Sequence, residues 1–184
     1  MLLGDGSPTR HLQLLTNQET KISLISMQLD PLSSQEGPKE INQLTGPLIR
    51  RQVWIKNNNK NLAWAESWWN TEQVSENLKA KEEPIWKNLT QDRSELFREV
   101  DSISLVNAKW LEDKFCFKGP FWSRNYRFFR DKKPLTIIRE VFNPHLESLL
   151  GYSGINEFAN LCSCLLYTSP SPRDLSTSRM PSSA

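Results

Sequence analysis

Apolar residues recur with a period of two along several stretches of the chain, and these mark strands. Leu48 to Lys56 places Ile49, Val53 and Ile55 on one side. Leu62 to Trp69 follows after Asn57-Asn58-Asn59-Lys60-Asn61, whose asparagines tolerate left-handed turn geometry, so the two segments read as a hairpin. Trp122 to Arg130 and Leu135 to Phe142, joined by Asp131-Lys132-Lys133-Pro134, read as a second hairpin. Thr20 to Leu29 is rich in β-formers without clean alternation: Ile22 and Leu24 fall on one side, and Ile25, Met27 and Leu29 on the other. That pattern suits a strand covered on both faces. Ser94 to Leu105 reads as a long irregular strand, with a helix through Phe97 and Val100 as the alternative.

Helices are few and short. Ser7 and Pro8 mark a helix start, a capping side chain followed by a residue suited to the first turn, and the helix runs to about Leu15. Asn70 or Thr71 can cap a polar helix with Val74 and Leu78 on one face, and Pro84 opens another turn through Ile85 and Leu89. Leu32 to Gly46 reads as a connecting loop. Strands dominate and βαβ alternation is absent, which predicts an α+β fold with an antiparallel sheet.

Several charges fall on apolar faces. Arg51 sits among Ile49, Val53 and Ile55, and a guanidinium aimed at a core must meet an anion, from the protein or from a ligand. Glu140 shares a face with Thr136, Ile138 and Phe142, where burial favours a carboxyl group able to carry a proton. Arg51 and Glu140 could equally pair with each other or lie at strand edges in water. Periodicity leaves Arg139, among Leu135, Ile137 and Val141, and Arg124, among Trp122, Tyr126 and Phe128, as further candidates.

Composition narrows the function classes. The 184 residues are 38% hydrophobic and 24% charged, with a net charge of +2, which suits one soluble domain and points to neither nucleic acid nor an acidic membrane as partner. No apolar run is long enough to span a bilayer and no signal peptide opens the chain, so the expected location is the cytoplasm. Cys116, Cys162 and Cys164 have no metal-ligand spacing and form no even disulfide framework, which suits a reduced compartment without metal. His11 and His145 stand alone and read as surface or capping residues. Trp64, Trp68 and Trp69 read as core or pocket wall. Gly4-Asp5-Gly6-Ser7 lacks the lysine of a phosphate loop.

From Cys164 onward the character changes to a Ser/Pro-rich run. Cys164 to Asp174 and Ser178 to Ala184 both match the in-frame translation of a transposase sequencing adapter, separated by Leu175-Ser176-Thr177 where such adapters carry an index. Residues 164–184 are therefore expected to be a disordered, non-native tail, and residues 1–163 the domain. Setting aside Arg173, Arg179 and Asp174 leaves that domain nearly neutral.

Four blocks together resemble one family: Leu2-Leu3-Gly4-Asp5-Gly6-Ser7-Pro8-Thr9, Arg50-Arg51-Gln52-Val53-Trp54, Trp122-Ser123-Arg124-Asn125-Tyr126, and Lys133-Pro134-Leu135-Thr136-Ile137-Ile138-Arg139-Glu140-Val141-Phe142. In this order they are similar to chorismate lyase, especially its cyanobacterial and plastid branch. The resemblance implies an antiparallel sheet of about six strands with helical flaps over a buried ligand. It implies conversion of chorismate to 4-hydroxybenzoate and pyruvate for quinone synthesis, plastoquinone in this branch, by a monomer without metal or organic cofactor. It places the carboxylate-binding arginine on Arg51, the carboxyl group near the ring hydroxyl on Glu140, and apolar pocket positions on Pro8 and Ile85. Family members usually carry a further N-terminal helix, so the native start is expected to be missing, and residues 151–163 are expected to belong to a genuine C-terminus that was also cut. Two rival readings stand beside the lyase: a small-molecule-binding module like the effector domains of some transcription regulators, and a truncated, inactive lyase fragment.

Overall fold

A computed structural model describes residues 7–30, 37–58, 60–78, 80–90, 95–150 and 166–168. Six long strands form one antiparallel sheet in the order β1-β2-β3-β6-β5-β4. They are β1 (Thr20–Leu29), β2 (Leu48–Asn57), β3 (Lys60–Asn70), β4 (Phe97–Asn107), β5 (Phe121–Arg130) and β6 (Lys133–Phe142). Two meanders of three strands are thus joined along β3 and β6, which pair from Ala63 opposite Phe142 to Trp69 opposite Thr136. This is the expected α+β sheet. A three-residue strand, β7 (Leu166–Thr168), lies parallel to the β4 edge. It falls within the segment expected to carry no structure; the rest of 151–184, and with it the Cys162 and Cys164 pair, lies outside the described residues.

Both hairpins form where turn chemistry places them. Asn58 adopts φ 44°, the left-handed geometry asparagine tolerates, and Asp131 and Lys132 adopt φ 51° and 62°, as a tight two-residue hairpin turn requires. The uneven pattern of β1 has a specific cause. Its register against β2 shifts between Leu24 and Ser26, so that Ile22, Leu24, Met27 and Leu29 all oppose the odd-numbered residues of β2. A bulge, rather than burial on both faces, explains the broken alternation. β1 is an edge strand, and Ile25 and Leu29 are 45% and 61% exposed.

One sheet face is covered by α1 (Pro8–Thr16), α2 (Thr71–Asn77), α3 (Ile85–Thr90) and α5 (His145–Leu149). Leu12 and Leu146 pack there on Val53, Ile55, Ala63 and Phe142, while Val74 and Leu89 pack with Trp69, Tyr126 and Ile138. Asn70 caps α2 by accepting a hydrogen bond from the Glu72 amide at 2.8 Å, as expected. Ser7 does not cap α1 through its side chain; its hydroxyl lies 2.7 Å from that of Thr9.

The opposite face is covered by α4 (Lys109–Phe115) and by a 3-10 turn, Lys39–Gln43, inside the segment expected to be loop. Leu111 and Phe115 pack on Trp64, Phe121 and Val141, and Ile41 packs on Leu48, Trp68 and Ile137. Trp68 is fully buried, its indole N–H donates to Asp30 at 2.8 Å, and Arg50 and Arg139 lie over its ring. Trp68→Ala is expected to cost about 3–5 kcal/mol in a urea titration, whereas Leu14→Ala on the solvent side of α1 should stay within about 0.5 kcal/mol.

Candidate functional site

Because side chains alternate between faces, register decides which charges meet. Two adjacent rows cross the α1-covered face. The first runs Arg51, Ser67, Ile138, Tyr126 and the second Val53, Ala65, Glu140, Arg124, each residue opposite the next on the neighbouring strand. Arg51 and Glu140 therefore lie two strands and one row apart, about 12 Å between backbones by ordinary sheet spacing. Their side chains lean over the same space.

That space is a cavity partly open to solvent. Its floor is the two rows without Arg124, with Ile22, Ile55 and Phe128 at the sides, and its cover is Ser7, Pro8 and Thr9 from the start of α1 with Pro84, Ile85 and Trp86 from the start of α3. Pro8, Arg51, Ile85 and Glu140, singled out from sequence, all line it. They come from four separated parts of the chain, so only the fold brings them together.

Arg51 is 2% exposed. Its Nε and Nη2 both donate to the Lys81 carbonyl, at 3.0 and 2.7 Å, and Nη2 also donates to the Glu83 carbonyl at 3.1 Å. Every partner among the described residues is a neutral backbone oxygen of the segment leading into α3. No carboxylate among the described residues pairs with it, and burial alone brings its pKa down to about 10, so it remains charged near neutrality. Nη1 has no hydrogen-bond partner among the described residues.

Glu140 is 3% exposed, but burial is only part of its environment. Arg124 Nε donates to Oε2 at 2.8 Å and the Tyr126 hydroxyl donates to Oε1 at 2.8 Å. It is an ion-paired carboxylate, not the isolated buried acid that periodicity suggested. Its partner is Arg124 on the neighbouring strand, not Arg51. Arg139 is resolved as well: it faces the other side of the sheet, where Glu66 accepts from both Arg139 and Arg50. Tyr126 went unrecognised from sequence, although its place two residues after Arg124 on the same face was the available signal.

His11 lies on α1, half-buried, with its pKa lowered by burial first and by Arg124 and Arg98 after that. Neither histidine lines the cavity. Cys116 is exposed and unpaired. Among the described residues no group of three or more His, Cys, Asp or Glu side chains comes together, and no helix is long and apolar enough to cross a membrane.

Burial holds the Tyr126 phenol well above its ordinary value of 10.0, and the adjacent Glu140 carboxylate pushes the same way. Above about pH 10 the unfolded chain therefore loses this proton while the folded one keeps it, and stability falls as pH rises. Tyr126→Phe is expected to remove that part of the alkaline slope, read from urea midpoints between about pH 9 and 11, and to cost about 1 kcal/mol at neutral pH.

Residues 2–150 match the family described as chorismate pyruvate-lyase Rv2949c-like. The protein named uncharacterized protein ycf21 of Cyanophora paradoxa is 37% identical over 145 residues, covering 78% of this chain and 75% of that protein. Its namesake in Pyropia yezoensis is 36% identical over 149 residues, 80% and 81%. Among solved structures, the effector domain of PhnF from Mycobacterium smegmatis superimposes with a TM-score of 0.58 at 9% identity, covering 92% of this chain and 96% of that one. The possible transcriptional regulator YydK from Bacillus subtilis gives 0.57 at 12%, covering 72% and 60%. At such identities the structural likeness speaks for the fold alone.

Proposed function

The chain belongs to the chorismate pyruvate-lyase Rv2949c-like family, and from that premise we propose that it eliminates pyruvate from chorismate to give 4-hydroxybenzoate. The observation that carries this reading is Arg51, a buried guanidinium whose only partners among the described residues are backbone carbonyls. A cation buried without a counterion is costly, and a carboxylate arriving from the cavity would offset that cost. The family match supports the choice of chorismate as the source of that carboxylate.

In this mechanism Arg51 holds the ring carboxylate through Nη1, since its Nε and Nη2 are engaged by the α3 approach. Val53, Ile55, Ile85, Phe128 and Ile138 exclude water and fix the ring, and Pro8 contributes a wall without an amide donor. Glu140, steadied by Arg124 and Tyr126, contacts the ring hydroxyl. The carbon bearing that hydroxyl loses its hydrogen as a proton, and the neighbouring ring carbon–oxygen bond breaks. The ring becomes aromatic, the bond's electron pair leaves on the enolpyruvyl oxygen, and the proton is passed to the departing fragment, which becomes pyruvate. Glu140 assists that proton transfer, and orientation supplies most of the rate. We read the protein as a cytoplasmic monomer needing no metal or organic cofactor, with its product directed to quinone synthesis, plastoquinone in the branch it resembles.

The test follows chorismate loss and 4-hydroxybenzoate release by chromatography, with the full chain. Arg51→Ala should lower kcat/KM by at least about thirtyfold, and Glu140→Gln should lower kcat more than it raises KM. A folded parent that releases no 4-hydroxybenzoate would sink the lyase reading. If that parent still binds the product, the site is a binding module.

A further inference from the structure

The cavity contains a second donor whose proton is unused. Ser67 is 1% exposed, lines the cavity floor and stands opposite Arg51 in the β2–β3 register. Residues so paired have Cβ atoms about 4.5–5.5 Å apart. A serine hydroxyl offers one proton and two acceptor sites. One acceptor site is taken by the Trp69 indole, whose Nε1 donates to Ser67 Oγ at 2.9 Å across two residues of the same strand. The hydroxyl proton has no acceptor among the described residues.

The immediate neighbours explain why. Across the strands lie Arg51, whose side chain carries only donors, and Ile138, which carries neither donor nor acceptor. Along β3 on the same face stand Ala65 and Trp69, again without a side-chain acceptor. Glu140, one diagonal step away, takes its hydrogen bonds from Arg124 and Tyr126. A buried hydroxyl with an idle proton beside a buried cation lacking a carboxylate is a two-donor arrangement for one anionic group.

We propose that Ser67 is a ligand-binding residue: its hydroxyl donates to the carboxylate that Arg51 attracts, and the Trp69 indole N–H holds it in that orientation. The assignment rests on the reading of the cavity given above, and it specifies how the carboxylate is held. With Nε and Nη2 of Arg51 committed to the Lys81 and Glu83 carbonyls, the guanidinium engages one carboxylate oxygen through Nη1 and Ser67 engages the other. The carboxylate then lies across the β2–β3 pair, which directs the opposite end of the ring toward Glu140.

Calorimetric titration of the full chain with 4-hydroxybenzoate and with benzoate, which keeps the carboxylate and lacks the hydroxyl, separates the outcomes. Ser67→Ala should weaken both ligands by the same factor, roughly tenfold or more. Trp69→Phe, which keeps an aromatic ring of smaller size and removes the N–H, should weaken both by a smaller factor. Urea midpoints of the same variants report any purely structural effect. If both variants lower the midpoint while the dissociation constants stay within about twofold of the parent, Ser67 is only a packing partner of Trp69 and the proposal fails. A loss confined to 4-hydroxybenzoate would place Ser67 at the hydroxyl end and overturn it equally. A parent that binds neither ligand rejects the reading of the cavity itself, and this assignment with it.

Discussion

A charged side chain on a sheet covered on both faces must be answered from within the protein or by something that enters it. β3 and β6 are buried over most of their length, so the arginines and glutamates on and beside them have little access to water. The pleat then distributes the answers. Glu66 and Glu140 lie on opposite faces because they belong to rows of opposite parity, Glu66 opposite Arg139 and Glu140 opposite Ala65 and Arg124. Glu66 meets Arg50 and Arg139 beneath α4 and the 3-10 turn, and Glu140 meets Arg124 beneath α1. Arg51 alone of these arginines shows only uncharged oxygens as partners, and the cavity opens above it.

This arrangement links stability to binding. A guanidinium satisfied by dipoles is tolerated but carries its charge at a cost, and an anion that arrives lowers that cost while gaining its own hydrogen bonds. The same guanidinium ties the approach to α3 onto the sheet, so the cover of the cavity is fastened by the group a ligand would use. In the proposed reading, ligand and cover share one anchor.

Much of this frame was legible along the chain, and the exceptions have physical causes. Both central hairpins follow from period-two alternation and from residues that accept left-handed turns. β1 was misread on one point because a bulge shifts parity midway, and parity is all that alternation reports. α4 went unnoticed since seven residues contain only two turns, too few for the Leu111 and Phe115 spacing to stand out. Arg51 and Glu140 were visible as misfits on apolar faces, yet their partners were not. Glu140 meets Arg124 across the β5–β6 hairpin, a choice made by its register, and Arg51 meets carbonyls of the segment before α3, which alternation along β2 does not report. Ser67 needed the register of the β2–β3 hairpin: it is polar by identity, but its significance lies in standing opposite Arg51.

The strand order has an evolutionary corollary. In the proposed reading the anion-binding end of the cavity comes from the first meander, through Arg51 and Ser67, and the Glu140 end from the second, with Arg124 and Tyr126 holding Glu140, and one seam runs between β3 and β6. On that reading each meander can vary its own end of the cavity while the seam keeps the two ends at a fixed separation. Exchanging residues on one side would retune which ring substituent is recognised without disturbing how the other is gripped. A scaffold divided in this way can diversify its repertoire one substituent at a time, which suits a fold found at 12% sequence identity in proteins described as transcriptional regulators.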